Sequence, residues 1–221
     1  MNKIRYFNES FVDRDFLAKI KNRKLIVIIE GEEIYINIIT IPKVKNFKIY
    51  DLIKNELICK FNSIDNIIFD YNIIQENEIS LEIIVYCVNI GNFHVLNDEN
   101  DDRVTFSKVN LVQNYILSYL KRFIKEDNYF FVFRYKRNIY FLLVNKGNII
   151  ANKVIAMDNN LLNHTEELSR FIESYKEEFS YINIIYTVNL MLSNTQLEKF
   201  IVIKLKDIIT KDFLNHIILK G

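Results

Sequence analysis

Histidines and cysteines are the residue types in this sequence that most often carry catalysis or bind metals, and their spacing fits neither role. The histidines are His94, His164 and His216, and none lies in a recognisable nucleophile motif, so a Ser or Cys triad is not indicated. The cysteines are Cys59 and Cys87, and the chain contains neither a CxxC nor an HExxH motif for zinc. We therefore predict no catalytic residues and no metal ligands, and we expect structural or surface roles for the histidines.

Two acidic runs mark places where a phosphate or a cation could bind. Glu30-Gly31-Glu32-Glu33 follows a strand-like run, but three carboxylates in one turn would repel a phosphate, so a plain hairpin turn is the better interpretation. The run from Asp98 to Asp102 lacks the alternating ligands, the glycine and the closing glutamate of an EF-hand loop. GxxxxGK[ST] and GxGxxG motifs are absent, and all four glycines are isolated. We predict no cofactor.

Aromatic and basic side chains interleave between positions 130 and 140, as they do in proteins that bind single-stranded nucleic acid by stacking. The set is Phe130, Phe131, Phe133, Arg134, Tyr135, Lys136, Arg137 and Tyr140. An RNP-like glycine and aromatic pattern does not accompany it. Because Phe and Tyr in strands usually pack in cores and across strands, the packing interpretation is favoured and nucleic-acid binding is the alternative.

These residues lie in a stretch whose order of elements indicates a fold. The strand-rich runs Tyr129–Tyr135, Asn138–Val144 and Asn148–Met157 are followed by a helical run, Leu161–Phe179, and a further strand, Tyr181–Val188. Three strands, a crossover helix and a fourth strand begin a ribonuclease-H-like or actin-like sheet. The turn between the first two strands is Tyr135-Lys136-Arg137-Asn138, without the acid and glycines that face phosphate and metal in nucleotide-binding members. The three strands carry no acid before Asp158, which argues against a two-metal nuclease.

The first half of the chain predicts further elements. They are a hairpin of Lys24–Glu30 and Glu33–Ile41 turning at Gly31, a helix over Lys48–Lys60, a strand pair of Ile67–Ile74 and Ile79–Val88, and a helix over Val109–Ile124. After Val188 we predict a short helical segment at Asn194–Lys199, a strand at Phe200–Lys204 and a closing helix at Lys206–Ile218. The acidic loop near 97–106 is the best boundary between an N-terminal lobe, 1–106, and a C-terminal βββαβαβα lobe, 107–221. The predicted fold class is α/β and actin-like, with mixed sheets flanked by helices in two lobes.

Composition limits the classes of protein that the sequence can represent. Half of the residues are hydrophobic, which suffices for a full core. The net charge of +1 is too small to suggest nucleic acid by electrostatics alone. The amino terminus lacks the apolar core of a signal peptide, and the longest apolar runs are far shorter than the roughly 20 residues of a membrane helix. We expect a soluble, intracellular chain with reduced cysteines.

The order of elements resembles one family in particular, the actin-like pilus-assembly proteins of the PilM type and their type II secretion relatives, the cytoplasmic GspL domains. The segment 23–57 resembles the family's hairpin, proline-marked segment and helix, with Pro42 after the hairpin and Glu56-Leu57 at the helix end. The segments 64–74, with Asp70-Tyr71, and 79–89 resemble the next two strands. The part from the Val109 helix to Val188 resembles the second actin-like lobe.

This resemblance implies a cytoplasmic scaffold at the inner face of the cell membrane. It implies binding to the tail of a PilN-like inner-membrane protein and a link to an assembly ATPase or platform protein, with homodimerisation and fusion to a membrane anchor as open options. Both phosphate turns of nucleotide-binding members lack a counterpart here, so the chain is expected to be a pseudo-ATPase and not an enzyme. No family motif maps partner-contact residues onto this sequence. The alternatives are an actin-like ATPase with displaced ligands and a single-stranded nucleic-acid binder.

Overall fold

The computed structural model describes residues 24–90, 105–157, 164–192 and 197–208. The contacts divide the chain into two compact units: a smaller unit, Ile34–Asp102, and a larger unit of Met1–Glu33 with Arg103–Gly221. In chain order the elements are β1 (Lys24–Ile29), β2 (Tyr35–Pro42), α1 (Asn46–Phe61), β3 (Ile67–Glu76), β4 (Ser80–Asn89), β5 (Thr105–Leu111), α2 (Val112–Leu120), a 3₁₀ turn (Lys121–Phe123), β6 (Tyr129–Tyr135), β7 (Asn138–Asn145), β8 (Asn148–Ala156), α3 (His164–Glu173), β9 (Ile184–Val188) and β10 (Ile201–Lys204).

The smaller unit consists of one helix on a three-stranded antiparallel sheet of order β2-β4-β3. Helix α1 buries Ile49, Ile53 and Leu57, whose four-residue spacing places them on one face. The helix ends at Asn62, which adopts φ 64° and donates its N–H to the carbonyl of Ile58. The alternate residues of β4 that face the helix complete this core, which comprises Ile41, Ile49, Ile53, Leu57, Leu81, Ile83, Val85 and Cys87.

The larger unit contains a five-stranded mixed sheet of order β10-β9-β6-β7-β8. Strands β6, β7 and β8 form an antiparallel meander, and β9 and β10 continue the sheet in parallel with β6. Helix α3 packs Leu168, Phe171 and Ile172 on one face of this sheet. The core formed there comprises Phe130, Val132, Ile139, Phe141, Leu143, Ala151, Leu168, Phe171, Ile172, Ile182, Ile185 and Leu197. Residues on the opposite face, such as Phe131 and Leu142, are also fully buried, so the central strands are apolar on both sides.

Strands β1 and β5 form a separate two-stranded parallel pair, in which Ile29 is opposite Leu111. The predicted hairpin of β1 and β2 is therefore wrong, because β2 pairs with β4. Both strands were predicted correctly, but the predicted pairing of β1 with β2 was not. Gly31 does turn the chain, with φ +84°, but it directs β2 into the smaller unit.

Most of the remaining predicted elements are confirmed. The seven other predicted strands occur with bounds that differ by three residues or fewer, and α1 occupies the predicted stretch. The helix predicted from Val109 begins at Val112, since residues 109–111 complete β5. The helix predicted over Leu161–Phe179 is described from His164 to Glu173 and is followed by turns. The acidic run 98–102 and most of the closing helix lie outside the described residues, and the lobe boundary at 106 stays a prediction. Within the described part, no helix has the length and apolar character needed to cross a bilayer.

Candidate functional site at the paired turns

Two turns of the larger unit meet at one end of its sheets: Glu30–Glu33, which follows β1, and Tyr135–Asn138, which joins β6 to β7. We call them the paired turns. The first lies beside the start of α2, because β1 and β5 are parallel and α2 begins directly after β5. There the side-chain amide of Gln113 donates a hydrogen bond to the carbonyl of Glu32 at 2.8 Å. Gln113 is completely buried, and its Oε1 has no hydrogen-bond partner within the described structure.

The two turns are tied to each other by polar contacts. Lys136 Nζ lies 2.8 Å from Glu30 Oε1 and forms an ion pair with it. The hydroxyl of Tyr140 accepts the backbone N–H of Gly31 at 2.8 Å. A Cβ atom at Gly31 would lie 3.0 Å from Asn138 Nδ2, and the positive φ of Gly31 would strain any larger residue there. The glycine thus allows a close approach between the turns.

A third contact attaches the first turn to the sheet edge. Glu33 Oε1 accepts the backbone N–H of Val154, on edge strand β8, at 2.9 Å. Glu30 and Glu33 are therefore both engaged by donors from the meander. The turn Glu30–Glu33 therefore links α2 to the sheet and is not an open loop. We call this turn with its contacts to Gln113, Lys136, Tyr140 and Val154 the clasp.

Tyr140 is the most buried polar group of this clasp, with no exposed surface. Burial raises the pKa of its hydroxyl to about 12, and the nearby Glu30 carboxylate adds to the increase. Hydrogen bonds with Gly31 and Asn138 act in the opposite direction on the pKa. The ring stacks on Phe133, its cross-strand partner, with centroids 4.6 Å apart. The hydroxyl thus stays protonated at neutral pH and acts as a fixed hydrogen-bonding group.

A cavity of about 490 Å³ lies next to the second turn, at the carboxyl ends of β6, β9 and β10. Its lining includes Arg134, Lys136 and Lys204, with Asp207 as an acidic neighbour. Asn189 also lines this cavity and connects two segments of the chain. Its side chain donates hydrogen bonds to the carbonyls of Arg134 and Ile208 and accepts one from the N–H of Ile208. A second cavity, of about 500 Å³ and more apolar, adjoins it and is lined by residues such as Leu190, Leu197 and Phe200.

The aromatic residues considered for base stacking lie inside the core. Phe130, Phe131, Phe133 and Tyr140 are each at most 2% exposed, and Tyr135 is 4% exposed. The packing interpretation is confirmed for these side chains, and none of the five can present a ring face to a base. Arg134, Lys136 and Arg137 point out of the same hairpin as exposed cations.

The structure does not bring the other candidate residues together. His164 begins α3 and lies 3.3 Å from the carbonyl of Met191, while His94 and His216 fall outside the described residues. Cys59 is exposed on α1, and Cys87 is buried in β4 as a free thiol whose pKa burial raises to about 11. Across the described ranges, no group of three or more His, Cys, Asp or Glu side chains could hold a metal ion.

The sequence did not indicate Gln113 or Asn189 as residues of this site, and it indicated Tyr140 only as a candidate for base stacking. Gln113 and Tyr140 are single polar groups within apolar patterns, and such residues carry no motif. Asn189 does leave a signal, because an Asn after a strand is a residue that tolerates the positive φ, here 55°, that ends β9.

Comparisons with known proteins bear on the fold. No model of a protein family matches the sequence, and the search of curated proteins found no match to it. The chain is similar to a solved structure described as the PilM-PilN type IV pilus biogenesis complex, with a TM-score of 0.62 and 12% identity over 87% of this chain and 71% of that one.

Two further solved structures are similar at a lower level. A Bacteroides thetaiotaomicron protein with an actin-like ATPase fold and unknown function gives a TM-score of 0.44 and 14% identity, covering 91% of this chain and 76% of that one. The cytoplasmic domain of EpsL, an inner-membrane component of the type II secretion system of Vibrio cholerae, gives 0.49 and 9%, covering 94% and 79%. The likeness to the pilus complex carries the conclusion: the predicted actin-like α/β fold, and the resemblance to PilM-type proteins at the level of fold, are confirmed.

Proposed function

We propose that the chain is a non-catalytic scaffold of a type IV pilus or type II secretion assembly platform, at the inner face of the cell membrane. The fold shared with a chain of the PilM-PilN complex supports the choice of apparatus. The observation that carries the non-catalytic part is the closure of the paired turns on each other. Lys136 is held by Glu30, and the N–H of Gly31 is held by Tyr140.

The closure matters because of what a phosphate needs at such turns. Phosphate-binding loops present free backbone N–H groups and unpaired cations to the anion. Here the Gly31 N–H is already bonded, and the carboxylate of Glu30, only 14% exposed, already neutralises the nearest lysine. A nucleotide would have to displace an ion pair and a hydrogen bond and then meet the carboxylate at close range. Each of these steps opposes binding.

The proposed partner is the cytoplasmic tail of a PilN-like membrane protein, with an assembly ATPase or platform protein beyond it. An extended tail can add a strand to a sheet edge, where the free backbone groups of the edge supply its hydrogen bonds. At two sheet edges, side chains of the protein itself already bond a backbone N–H. The Glu33 carboxylate accepts the Val154 N–H on β8, and the Asp70 carboxylate accepts the Tyr71 N–H on β3. Such contacts discourage strand addition. Strands β2 and β10 are the edges we favour, and a homodimer would compete for the same edges.

Calorimetric titration tests the proposal in two parts. ATP with Mg²⁺ should give no binding heat at micromolar protein, whereas a synthetic PilN-like tail from the same genome should bind with a micromolar dissociation constant. Hydrogen exchange of the complex should then show added protection at β2 or β10. Micromolar ATP binding would overturn the non-catalytic part, and a tail that does not bind would overturn the scaffold assignment.

The second candidate function is an actin-like ATPase with displaced ligands. The cavity of about 490 Å³ favours it, because Arg134, Lys136 and Lys204 line a space adjoining the second turn. This candidate predicts ATP hydrolysis that is lost on Glu30→Ala. Under the scaffold proposal, the wild-type chain and Glu30→Ala should both show only the background hydrolysis of buffer.

A further inference from the structure

A group of exposed cations lies at the end of the five-stranded sheet opposite the paired turns. We call it the basic end and define it as Lys121, Arg122, Phe123, Lys125, Lys146 and Tyr181. The first four follow α2 and lead into the amino end of β6, while Lys146 lies in the turn between β7 and β8. Hydrogen bonds join these segments.

The contacts place the basic end on one surface. The N–H of Lys146 donates to Asn128 Oδ1 at 3.0 Å, and the N–H of Gly147 donates to the carbonyl of Asp127 at 3.3 Å. The hydroxyl of Tyr181 lies 3.5 Å from Asn145 Oδ1. The β7–β8 turn therefore sits between the segment after α2 and the segment before β9, and the cations share one end of the sheet.

The cations of the basic end are exposed, and no carboxylate of the described residues forms an ion pair with them. Lys121, Arg122, Lys125 and Lys146 are all exposed, and none forms an ion pair within the described structure. Five other cations of the larger unit do form ion pairs: Lys136, Lys153, Arg170, Lys176 and Lys204. The carboxylates next to Lys125 in the sequence are Glu126 and Asp127, and Glu126 already accepts a hydrogen bond from the hydroxyl of Tyr186. The surface thus keeps an excess of positive charge.

Two aromatic side chains stand among these cations. Phe123 is 47% exposed and Tyr181 is 59% exposed, whereas neighbouring aromatic residues of the sheet, such as Tyr129 and Phe130, are buried. The guanidinium of Arg122 lies over the Phe123 ring, 4.7 Å from its centroid. Exposed aromatic rings beside Lys and Arg are typical of surfaces that rest in the headgroup region of a bilayer.

We propose that the basic end binds an anionic lipid surface. It is built from exposed residues of the 3₁₀ turn after α2 and of the turn between β7 and β8, both at the amino end of β6, which a bilayer surface can reach. The cavity of about 490 Å³ lies at the carboxyl ends of β6, β9 and β10, at the other end of the sheet. The inference deepens the proposed role at the inner membrane and rests on it for the choice of lipid over an acidic protein.

Vesicle sedimentation of the full chain tests this. The chain should sediment with vesicles that contain phosphatidylglycerol and not with pure phosphatidylcholine vesicles, and added salt should release it. Each Lys or Arg near a charged bilayer strengthens binding about fivefold, so Lys121→Gln with Lys125→Gln should weaken sedimentation by roughly 25-fold. Phe123→Ser should weaken it further without altering the charge.

The matched control is Arg137→Gln with Lys206→Gln, which removes the same charge from two exposed positions at the opposite end of the five-stranded sheet. This control should sediment like the wild type. The proposal fails if the wild-type chain ignores anionic vesicles at low salt, if the control is weakened as much as the basic-end variant, or if polyglutamate binds in place of vesicles. Tail binding by calorimetry with the same variants separates this failure from failure of the scaffold role, since the tail experiment contains no lipid.

Discussion

At the residue scale, the hydroxyl of Tyr140 is the group on which the clasp depends. It accepts the Gly31 N–H from a side chain that has no exposed surface. Tyr140→Phe keeps the ring and its stacking on Phe133 but leaves a partly buried N–H without a partner. An unsatisfied buried donor costs about 1–3 kcal/mol, so we expect the free energy of unfolding in urea to fall by about that amount.

Tyr129→Phe is the control for this substitution. Tyr129 belongs to the neighbouring strand β6 and is also buried, but its hydroxyl has no hydrogen bond among the described contacts. Its removal should change the free energy of unfolding by less than about 0.5 kcal/mol. Equal losses in the two variants would mean that the Gly31 contact contributes nothing specific.

The pKa of the Tyr140 hydroxyl predicts how the free energy of unfolding depends on pH. The pKa of Tyr140 is about 12 in the folded chain, against 10.0 for a free tyrosine, mainly because of burial. The folded state therefore keeps a proton that the unfolded chain releases above pH 10. The free energy of unfolding is therefore unaffected by this group below pH 10, and it falls as the pH rises from 10 towards 12.

Measurement of this loss needs both tyrosine variants. Tyr129 also has a pKa of about 12, so the two residues act in the same interval. We expect the free energy of unfolding to fall more steeply between pH 9.5 and 11.5 in the wild type than in either Phe variant, by up to about 2–3 kcal/mol for a two-unit shift. Identical slopes in all three proteins, from urea unfolding at each pH, would contradict the assignment.

At the element scale, the two hairpin turns of the meander each hold a lysine at positive φ, but the two lysines differ in their contacts. Lys136 has φ 52° and forms an ion pair with Glu30, whereas Lys146 has φ 50°, precedes Gly147 at φ 74° and forms no ion pair with any described residue. Asn followed by Gly is the preferred pair for a two-residue turn with positive φ at both positions.

Lys146→Asn should therefore raise the free energy of unfolding by up to about 1 kcal/mol, because the left-handed conformation costs lysine more than asparagine. Lys136→Asn should give no net gain, since the same relief is offset by an ion pair worth up to about 1 kcal/mol. Thermal unfolding of both variants checks the contrast. A gain at position 136 as large as that at 146 would show that the pair with Glu30 adds nothing to stability.

The elements themselves were largely predictable from the sequence, and the reason is local. The strands of the meander alternate with short turns, so propensity and turn residues place Tyr129–Tyr135 at its observed bounds. The pairing of β1 was not predictable in this way. Its partner, β5, is about 80 residues away, and no local pattern distinguishes a strand that joins β2 from one that joins β5.

At the scale of the whole molecule, the candidate site was likewise predictable in its local features and not in its contacts between distant residues. The absence of glycine and acid in the turn Tyr135–Asn138 is a local feature and was visible in the sequence. The closure of that turn by Glu30 was not visible, because it links residues 106 positions apart. The acids that were expected only to repel an anion prove to bind the meander instead, through Lys136 and Val154.

The larger unit is discontinuous in sequence, which makes its boundary testable. The chain leaves it after Glu33 and returns at Arg103. Because β1 and β5 run parallel, the end of β1 at Ile29 and the start of β5 at Thr105 lie at opposite ends of the strand pair, about 20 Å apart. A Gly/Ser linker of about ten residues can reach up to about 33 Å, so it can replace residues 34–102 without strain.

We expect this excised chain to unfold cooperatively on heating, with the β1–β5 pair and the clasp intact. The comparison is a cut at the predicted lobe boundary, giving fragments 1–106 and 107–221. That cut falls within β5 and separates Gly31, Glu30 and Glu33 from the meander residues that bind them. Fragment 107–221 should therefore be less stable than the excised chain, which keeps all these contacts. If circular dichroism shows a sharper and higher transition for 107–221 alone, the boundary near 106 is the correct one and β1 does not stabilise the larger unit.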